Sequence, residues 1–147
     1  MSLKNLHFRN NSFKNKVVLV TGCSGQLGVS ICKMYLRFGS KVIGIDNNSN
    51  KIKNKNFNFE KIDISMKKHT EFVIKKIIKK KGNIDILINN AGYSIFTPFT
   101  KRTSDEIDKV IGSNLKGTLN MILSTTKLSK KKLNILNIAS IYGVKIP

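Results

Sequence analysis

A glycine-rich loop between an apolar segment and an amphipathic segment most limits how this chain can fold. Residues 16–20 read KVVLV, a short β-branched run typical of a strand buried on both faces. The loop Thr21–Gly28 (TGCSGQLG) follows directly, and the apolar residues after it recur at three- and four-residue steps, as on one face of a helix that ends near Gly39. A strand, a glycine turn and a helix in this order predict the opening of a βαβ unit.

The same alternation continues along the chain. Four more strands are predicted at residues 41–46, 57–62, 84–89 and 134–139, of which the last two are expected to be buried. Helices are predicted over residues 65–81 and from a Thr-x-x-Glu capping box at Thr103 to about Lys130. The apolar stripe of this long helix is Ile107, Val110, Ile111, Leu115, Leu119 and Ile122. The pattern predicts an α/β fold, a Rossmann-type, doubly wound, three-layer parallel sheet with strand order 3-2-1-4-5.

Composition is that of a folded domain. The 147 residues are 40% hydrophobic and 24% charged, which predicts one domain over residues 16–147 after a polar extension, 1–15. No segment approaches the roughly 20 apolar residues that cross a bilayer, and the first residues lack the apolar core of a signal peptide, so we expect a cytoplasmic protein without a membrane partner. Cys23 and Cys32 have no metal-binding or disulfide spacing, so both are expected to be small buried residues and no metal site is expected.

The formal charge of +19 raises the question of nucleic acid. The lysines are scattered along the chain, without interleaved aromatic residues or a single basic arm. Lys, Asn and Ile are all abundant and share A/T-rich codons, so a biased genome explains the charge better than a nucleic-acid partner does. We therefore expect a solvated lysine coat and no nucleic-acid partner, with binding through that coat as the weaker alternative.

The glycine positions suit a bound dinucleotide. Gly22 allows a tight turn, Gly25 lets backbone N–H groups approach a pyrophosphate, and Gly28 lets the helix pack close to the strand. Asp46 ends the second strand, where its carboxylate can accept hydrogen bonds from the adenosine ribose; the alternative is an aspartate that caps a turn. This carboxylate would repel a 2′-phosphate, and no Arg stands in the loop or directly after Asp46, so NAD is expected and NADP is less favoured.

Further motifs give the chain a family resemblance. The sequence NNAG at residues 89–92 follows the fourth strand, and Asp63-Ile64, NLKG at residues 114–117 and NIASIYG at residues 137–143 complete the series. In this order the motifs resemble the short-chain dehydrogenase/reductase family over residues 16–143, although the loop's middle glycine commonly lies one place later, where Gln26 stands here. The cofactor-binding residues that the loop and the resemblance imply are Thr21, Gly22, Gly25, Gln26, Leu27, Gly28, Asp46, Asp63, Ile64, Asn90, Ala91 and Gly92.

The resemblance also implies an activity. It is that of an NAD(P)-dependent oxidoreductase which interconverts an alcohol and a carbonyl on a small molecule, and which is a homo-oligomer when complete. Two catalytic residues are implied: Asn114, which would hold a proton-relay water, and Ser140, which would hydrogen-bond the substrate. From the residues alone, a structural role for Asn114 and a turn role for Ser140 stay open, but a polar Asn114 in an apolar stripe requires a hydrogen-bond partner.

The catalytic Tyr of such a family, with Lys four residues later, is absent from the sequence. Tyr142 is followed by Lys145, a spacing of three. We therefore expect a fragment that lacks the C-terminal strands, that is inactive alone, and that is poorly soluble because residues 134–139 would form an apolar sheet edge. The alternative function is a dinucleotide-binding or regulatory protein that performs no chemistry.

Overall fold

The computed structural model describes residues 13–140. Most of the expected extension 1–15, together with Tyr142 and Lys145, lies outside the described residues. Five parallel strands form one sheet in the order β3-β2-β1-β4-β5, which confirms the predicted strand order. The strands are β1 Val17–Thr21, β2 Lys41–Asp46, β3 Phe57–Lys61, β4 Ile86–Asn89 and β5 Asn134–Asn137. The α-helices are α1 Gln26–Arg37, α2 Lys67–Lys81, α3 Ser104–Val110 and α4 Thr118–Leu128.

The core lies on both faces of the sheet, as the continuous apolar run of β1 predicts. Val18 and Val20 pack with Tyr35 of α1 on one face, while Leu19 packs with Ile74 of α2 and other residues on the opposite face. This alternation follows from the two-residue period of a strand, which turns successive side chains to opposite faces. The three-layer, doubly wound architecture is therefore confirmed, and no helix among the described residues has the length and apolarity needed to cross a bilayer.

The register of the sheet brings the strand ends together. Thr21 is paired with Ile45, Asp46 with Lys61, and Asn89 with Asn137. Because all the strands are parallel, the loops that follow them meet at the carboxyl edge, where open α/β sheets bind ligands.

The long helix begins as predicted but changes its geometry. The Thr103 side chain accepts from the Glu106 backbone N–H and the Glu106 carboxylate accepts from the Thr103 N–H, which confirms the capping box. Residues Ile111–Gly117, between α3 and α4, then form a π-helical segment. Such a segment bonds residue i to residue i+5, so its turns hold more residues than an α-helix and the side chains after it are rotated.

The expectation that the apolar stripe of this helix faces the core was wrong for most of its residues, although Ile122 does pack against the core. The side chains that α4 buries include Met121, Ser124 and Thr125. A stripe at four-residue steps instead faces outward, with exposures between 44% and 60%: Ile107, Ile111, Leu115, Leu119 and Leu123. The stripe already faces outward at Ile107, before the π-helical segment, because no element among the described residues covers this face of the helix.

The expectation that β5 is buried was also wrong, whereas the expectation of an apolar sheet edge was confirmed for this strand. Its residues are all exposed, and it lies at the sheet edge with β4 as its hydrogen-bonded neighbour. Ile135 and Leu136 are therefore open to solvent although β5 has the apolar sequence of a covered strand.

Candidate functional site

A cleft of about 990 Å³ opens at the carboxyl edge of the sheet. The glycine loop, the loops after β2, β3 and β4, and the helix from α3 into the π-helical segment all contribute to it. Eleven of the twelve residues predicted to bind a cofactor line this cleft: Gly22, Gly25, Gln26, Leu27, Gly28, Asp46, Asp63, Ile64, Asn90, Ala91 and Gly92. The twelfth, Thr21, is buried beneath the loop and does not line the cleft.

The three loop glycines differ in what surrounds them. Gly22 has φ +64°, and a Cβ there would lie 2.7 Å from the Ala91 Cα; a Cβ on Gly28 would lie 2.0 Å from the Gly22 carbonyl oxygen. The positive φ of Gly22 agrees with the predicted turn, and Gly28 brings the helix close to the loop residues Gly22 and Cys23, whereas its predicted packing against the strand stays a prediction. A Cβ on Gly25 would meet only the Gly22 oxygen, at 3.5 Å, so the protein itself does not require glycine there. Close approach of a ligand to Gly25 stays a prediction.

The start of α1 faces the cleft without a capping side chain. Gly25 is the N-cap, and the first turn contains no acidic residue. The first N–H groups of a helix have no partner inside the helix and carry a partial positive charge. The start of α1 is therefore suited to accept the oxygens of an anion.

Thr21 and Asn90 join the ends of β1 and β4 beneath the cleft. The Thr21 hydroxyl accepts from the backbone N–H groups of Asn90 at 3.0 Å and Ala91 at 2.9 Å. The Asn90 side-chain amide donates to the carbonyl oxygens of Thr21 and Gly22, both at 3.1 Å. Asn90 therefore holds the backbone of the glycine loop, a role that the sequence did not reveal.

The Asp46 carboxylate holds two loops at the ribose end of the expected site. One oxygen accepts from the Ser24 N–H and the other from the Asn48 N–H, each at 2.9 Å. The turn-capping alternative for Asp46 is thus present in the structure. It does not exclude ligand binding, because the two oxygens of a carboxylate offer about four lone-pair sites.

Asn114 has the partner that its sequence position required, but it does not face the core. Its side-chain oxygen accepts from the Tyr93 N–H at 2.7 Å, and its amide donates to the Tyr93 carbonyl at 3.1 Å. Asn114 is exposed and lies in the π-helical segment, and such segments are frequent at functional sites. Ser140 is exposed and follows β5. Neither residue lines the cleft.

Sequence reasoning missed several residues of the cleft that come from the long helix. They are Asp105, Asp108, Lys109, Gly112 and Ser113. It also missed Asn120, whose side-chain amide contacts the loop after β3. The available signals were Gly112 and Gly117, since a glycine inside a helical pattern can mark a close approach of another segment.

The cleft is acidic although the chain is basic. Asp46, Asp63, Asp105 and Asp108 line it, and among the described residues Lys109 is the one cation that does. The chain has 27 basic and only 8 acidic residues, so half of its acidic residues lie at this cleft.

A second cleft of about 750 Å³ has the opposite charge. It lies between α1 and the loop after β2 and is lined by Lys33, Arg37, Lys51 and Lys53, with no acidic side chain from residues 13–140. Ser24 also lines it, and the Ser24 N–H is bonded to Asp46. Asp46 therefore contacts a residue that borders this basic surface.

Both cysteines are free and fully buried, as predicted. Burial raises the pKa of the Cys23 thiol to about 11 and that of the Cys32 thiol to about 12. The reactive thiolate is therefore scarce at neutral pH, so both are structural residues of the core beneath the glycine loop.

The family model described as short chain dehydrogenase matches residues 16–147. The chain belongs to the short chain dehydrogenase family. A crystal structure of a short chain dehydrogenase from Leptospira borgpetersenii with bound NAD+ is 37% identical, with a TM-score of 0.88, and the match covers 100% of this chain and 59% of that chain. The 3-oxoacyl-[acyl-carrier-protein] reductase FabG of Rickettsia typhi is 34% identical over 140 residues, 90% of this chain and 56% of that protein.

A solved structure of ElxO with NADP bound is also similar to this chain. It is 27% identical, with a TM-score of 0.84, and the match covers 90% of this chain and 58% of that chain. This chain thus spans between half and two thirds of the length of these proteins.

Proposed function

We propose that this chain provides the dinucleotide-binding part of an NAD-dependent oxidoreductase that interconverts an alcohol and a carbonyl on a small molecule. The observation that carries the proposal is the glycine loop. A side chain at Gly25 would not clash with the protein, and Gly25 lies at the uncapped start of α1. Gly25 and the Asp46 carboxylate line the same cleft. An anionic pyrophosphate at the helix start and a ribose at Asp46 would use both features.

The charge of the cleft supports NAD over NADP. A 2′-phosphate beside Asp46 would stand among carboxylates, and the repulsion would weaken its binding. NADP is the alternative cofactor. The basic second cleft, which Ser24 also lines, could attract a 2′-phosphate, and the similar protein ElxO has a structure with NADP bound.

The chemistry would place Ser140 and Asn114 next to the reacting groups. The nicotinamide, when bound, would carry the hydride. Ser140 would donate a hydrogen bond to the substrate oxygen, and Asn114 would hold a relay water with the polar capacity that its bonds to Tyr93 leave unused. The general acid of the family, a Tyr assisted by a Lys four residues later, does not occur among residues 13–140 at that spacing. The activity is therefore proposed for a protein of the length of its relatives, with this chain inactive alone.

We also propose a substrate class, an assembly and a location for the whole protein. The substrate is a small alcohol or carbonyl compound, with 3-oxoacyl thioesters and sugar or polyol substrates as the candidate classes, and the whole protein is a cytoplasmic homo-oligomer. A dinucleotide-binding protein without chemistry is the second candidate. The observation that favours it is that the cleft is well formed while Asn114 and Ser140 lie outside its lining.

Calorimetric titration of the 147-residue chain with NAD+, NADP+ and ADP-ribose tests the binding proposal. We expect NAD+ and ADP-ribose to bind, NADP+ to bind more weakly, and Asp46→Asn to weaken NAD+ binding about tenfold. Glu71→Gln, an equal loss of charge on α2 outside the cleft, is the control. A folded chain that binds none of the three ligands refutes the proposal. Tighter binding of NADP+ refutes the cofactor choice alone.

Turnover separates the two candidate functions. A protein extended to the length of its relatives should oxidise or reduce a member of a panel of alcohols and ketones. Binding of NAD+ without turnover of any of them would favour the non-catalytic candidate.

A further inference from the structure

Asn120 and Gly117 contact the loop after β3 from one helix. The Asn120 side-chain amide donates to the carbonyl oxygens of Ile64 at 3.0 Å and of Ser65 at 3.1 Å. Gly117 is buried against Ile64, and a Cβ at Gly117 would lie 2.6 Å from the Ile64 Cγ1. Asn120 thus holds the backbone of Ile64 through its side-chain amide, and Gly117 packs directly against the Ile64 side chain.

The segment held in this way is one wall of the cleft. Asp63, Ile64 and Ser65 all line it, and Ile64 is only 6% exposed. The Asp63 carboxylate accepts from the Ser65 N–H at 2.8 Å, and the Thr70 hydroxyl donates to the Ile64 carbonyl at 3.2 Å. The wall is therefore braced by a bond within its own loop and by one from α2, and Asn120 adds the connection to the long helix.

The same helix also fastens a second segment of the cleft. The Asn114 amide makes two hydrogen bonds to the backbone of Tyr93, which lines the cleft after β4. Asn114 lies inside the π-helical segment, and Gly117 is its last residue. The relative direction of Asn114 and Asn120 therefore depends on this turn, because a π-helical turn rotates the side chains that follow it.

We propose that Asn120 and Gly117 are positioning residues for the adenine ring of a bound dinucleotide. Neither residue lines the cleft, so both act through Ile64 and its neighbours. These residues follow β3, which is paired with β2 at Asp46, so they lie beside the proposed ribose site, where the adenine ring would be. If this wall is already ordered in the free protein, binding does not lose conformational entropy by ordering it. The affinity for the ligand is then higher. The inference rests on the proposed dinucleotide function and adds to it the residues that shape the adenine end.

Two substitutions separate the two contacts. Asn120→Leu keeps the approximate size and the neutral charge but removes both donated hydrogen bonds, whereas Asn120→Gln keeps an amide donor. Gly117→Ala leaves Asn120 in place and forces the Ile64 side chain to move, since 2.6 Å is too short for two carbon atoms. Asn56→Leu is the matched control, because Asn56 is exposed at the amino end of β3, whereas the wall of the cleft follows the carboxyl end of this strand.

Two measurements on the 147-residue chain test the proposal: the Kd of ADP-ribose by calorimetry, and hydrogen exchange of residues 63–66 without ligand. Asn120→Leu should raise the Kd about tenfold and speed exchange at residues 63–66 while exchange at the glycine loop stays unchanged. Asn120→Gln should recover most of the affinity, Gly117→Ala should weaken binding to a similar extent, and Asn56→Leu should stay within about twofold of the parent chain.

Each other outcome has a defined meaning. Faster exchange at residues 63–66 with an unchanged Kd would show that the contacts are structural only, and unchanged exchange would show that Asn120 does not hold the wall. Either result overturns the inference and leaves the proposed function intact. If the parent chain itself does not bind ADP-ribose, the proposed function fails, and the adenine role fails with it. Should Asn120→Leu not fold, the Kd and exchange of Gly117→Ala decide the question.

Discussion

The side chains of Thr21 and Asn90 hydrogen-bond each other's backbone across the ends of β1 and β4. The Thr21 hydroxyl accepts from the Asn90 N–H at 3.0 Å, and the Asn90 amide donates back to the Thr21 carbonyl at 3.1 Å. Because the same amide also reaches the Gly22 carbonyl, this pair connects the sheet to the glycine loop. Several residues that resemble ligand contacts in the sequence therefore shape the backbone that a ligand would meet.

Replacing Thr21 by valine tests this connection. Thr21→Val keeps the shape but removes the acceptor of two N–H groups, those of Asn90 and Ala91, at a buried site. We expect a loss of about 1–3 kcal/mol in the free energy of unfolding, measured by urea denaturation. Thr126→Val, on the exposed side of α4, should change it by less than about 0.5 kcal/mol. Equal effects of the two substitutions would contradict the structural role of Thr21.

Two glycines of the loop should respond differently to alanine. Gly28→Ala places a Cβ 2.0 Å from the Gly22 oxygen, so the helix and the loop must separate and the chain should be strongly destabilised. Gly25→Ala meets no clash in the protein, so its free energy of unfolding should stay within about 1 kcal/mol of the parent chain. The added methyl group should nevertheless weaken NAD+ binding at least about tenfold, in calorimetric titration. Normal binding by Gly25→Ala would show that no ligand approaches this residue.

The buried thiols predict a loss of stability at high pH. In the folded chain, burial raises the pKa of the Cys23 thiol to about 11 and that of the Cys32 thiol to about 12, against 9.0 for an ordinary thiol. Above pH 9 the unfolded chain therefore releases protons that the folded chain keeps, so the stability that the neutral thiols provide below pH 9 falls as the pH rises toward 11. Urea denaturation between pH 8 and pH 10.5 should show a steeper decline for the parent chain than for Cys23→Ala/Cys32→Ala. Parallel curves would contradict the raised pKa values.

The lowered pKa of Glu106 predicts a loss of helix stability at acid pH. A hydrogen bond from the Thr97 hydroxyl, and then one from the Thr103 backbone, lower the pKa of the Glu106 carboxyl below its ordinary value of 4.5. The stability that the ionised carboxylate provides is present above that value and is lost as the pH falls through the lowered pKa. Helical circular dichroism of the parent chain should decline in this range more than that of Glu106→Gln, whose amide does not titrate. An identical acid profile for the two chains would show that the capping box does not depend on the charge.

The exposed apolar surface predicts self-association of the 147-residue chain. The outward stripe of the long helix and the open β5 strand both expose large aliphatic side chains. Leu119→Glu combined with Leu123→Lys should increase the soluble fraction and reduce the sedimentation coefficient, because the stripe then carries charge. Lys127→Glu, on the exposed end of the same helix, is the control for a change of charge without a change of apolar surface. A parent chain that sediments as a monomer would contradict the prediction.

Much of the fold could be predicted because local patterns coincide with it. The continuous apolar run of β1 requires burial on both faces, the spacing of Gly22 and Gly28 allows one turn geometry, and the Thr103–Glu106 pair marks the start of a helix. Each signal acts within a few residues, where backbone sterics and hydrogen bonding dominate. The strand order followed from the Rossmann-type pattern that these signals form, which has the order 3-2-1-4-5.

The tertiary structure decided the rest, because it depends on contacts between segments distant in sequence. No local pattern indicates that Asn90 holds the glycine loop or that Asn120 reaches the carbonyl oxygens of Ile64 and Ser65, since the polar partners in these pairs are backbone groups, which every residue carries. The outward orientation of the helix stripe was likewise not predictable, because side-chain periodicity does not show which apolar face the rest of the domain covers. The sequence by itself determined the strands, the sheet order and the glycine loop, while the packing of the long helix determined which side chains face the cleft and which face the solvent.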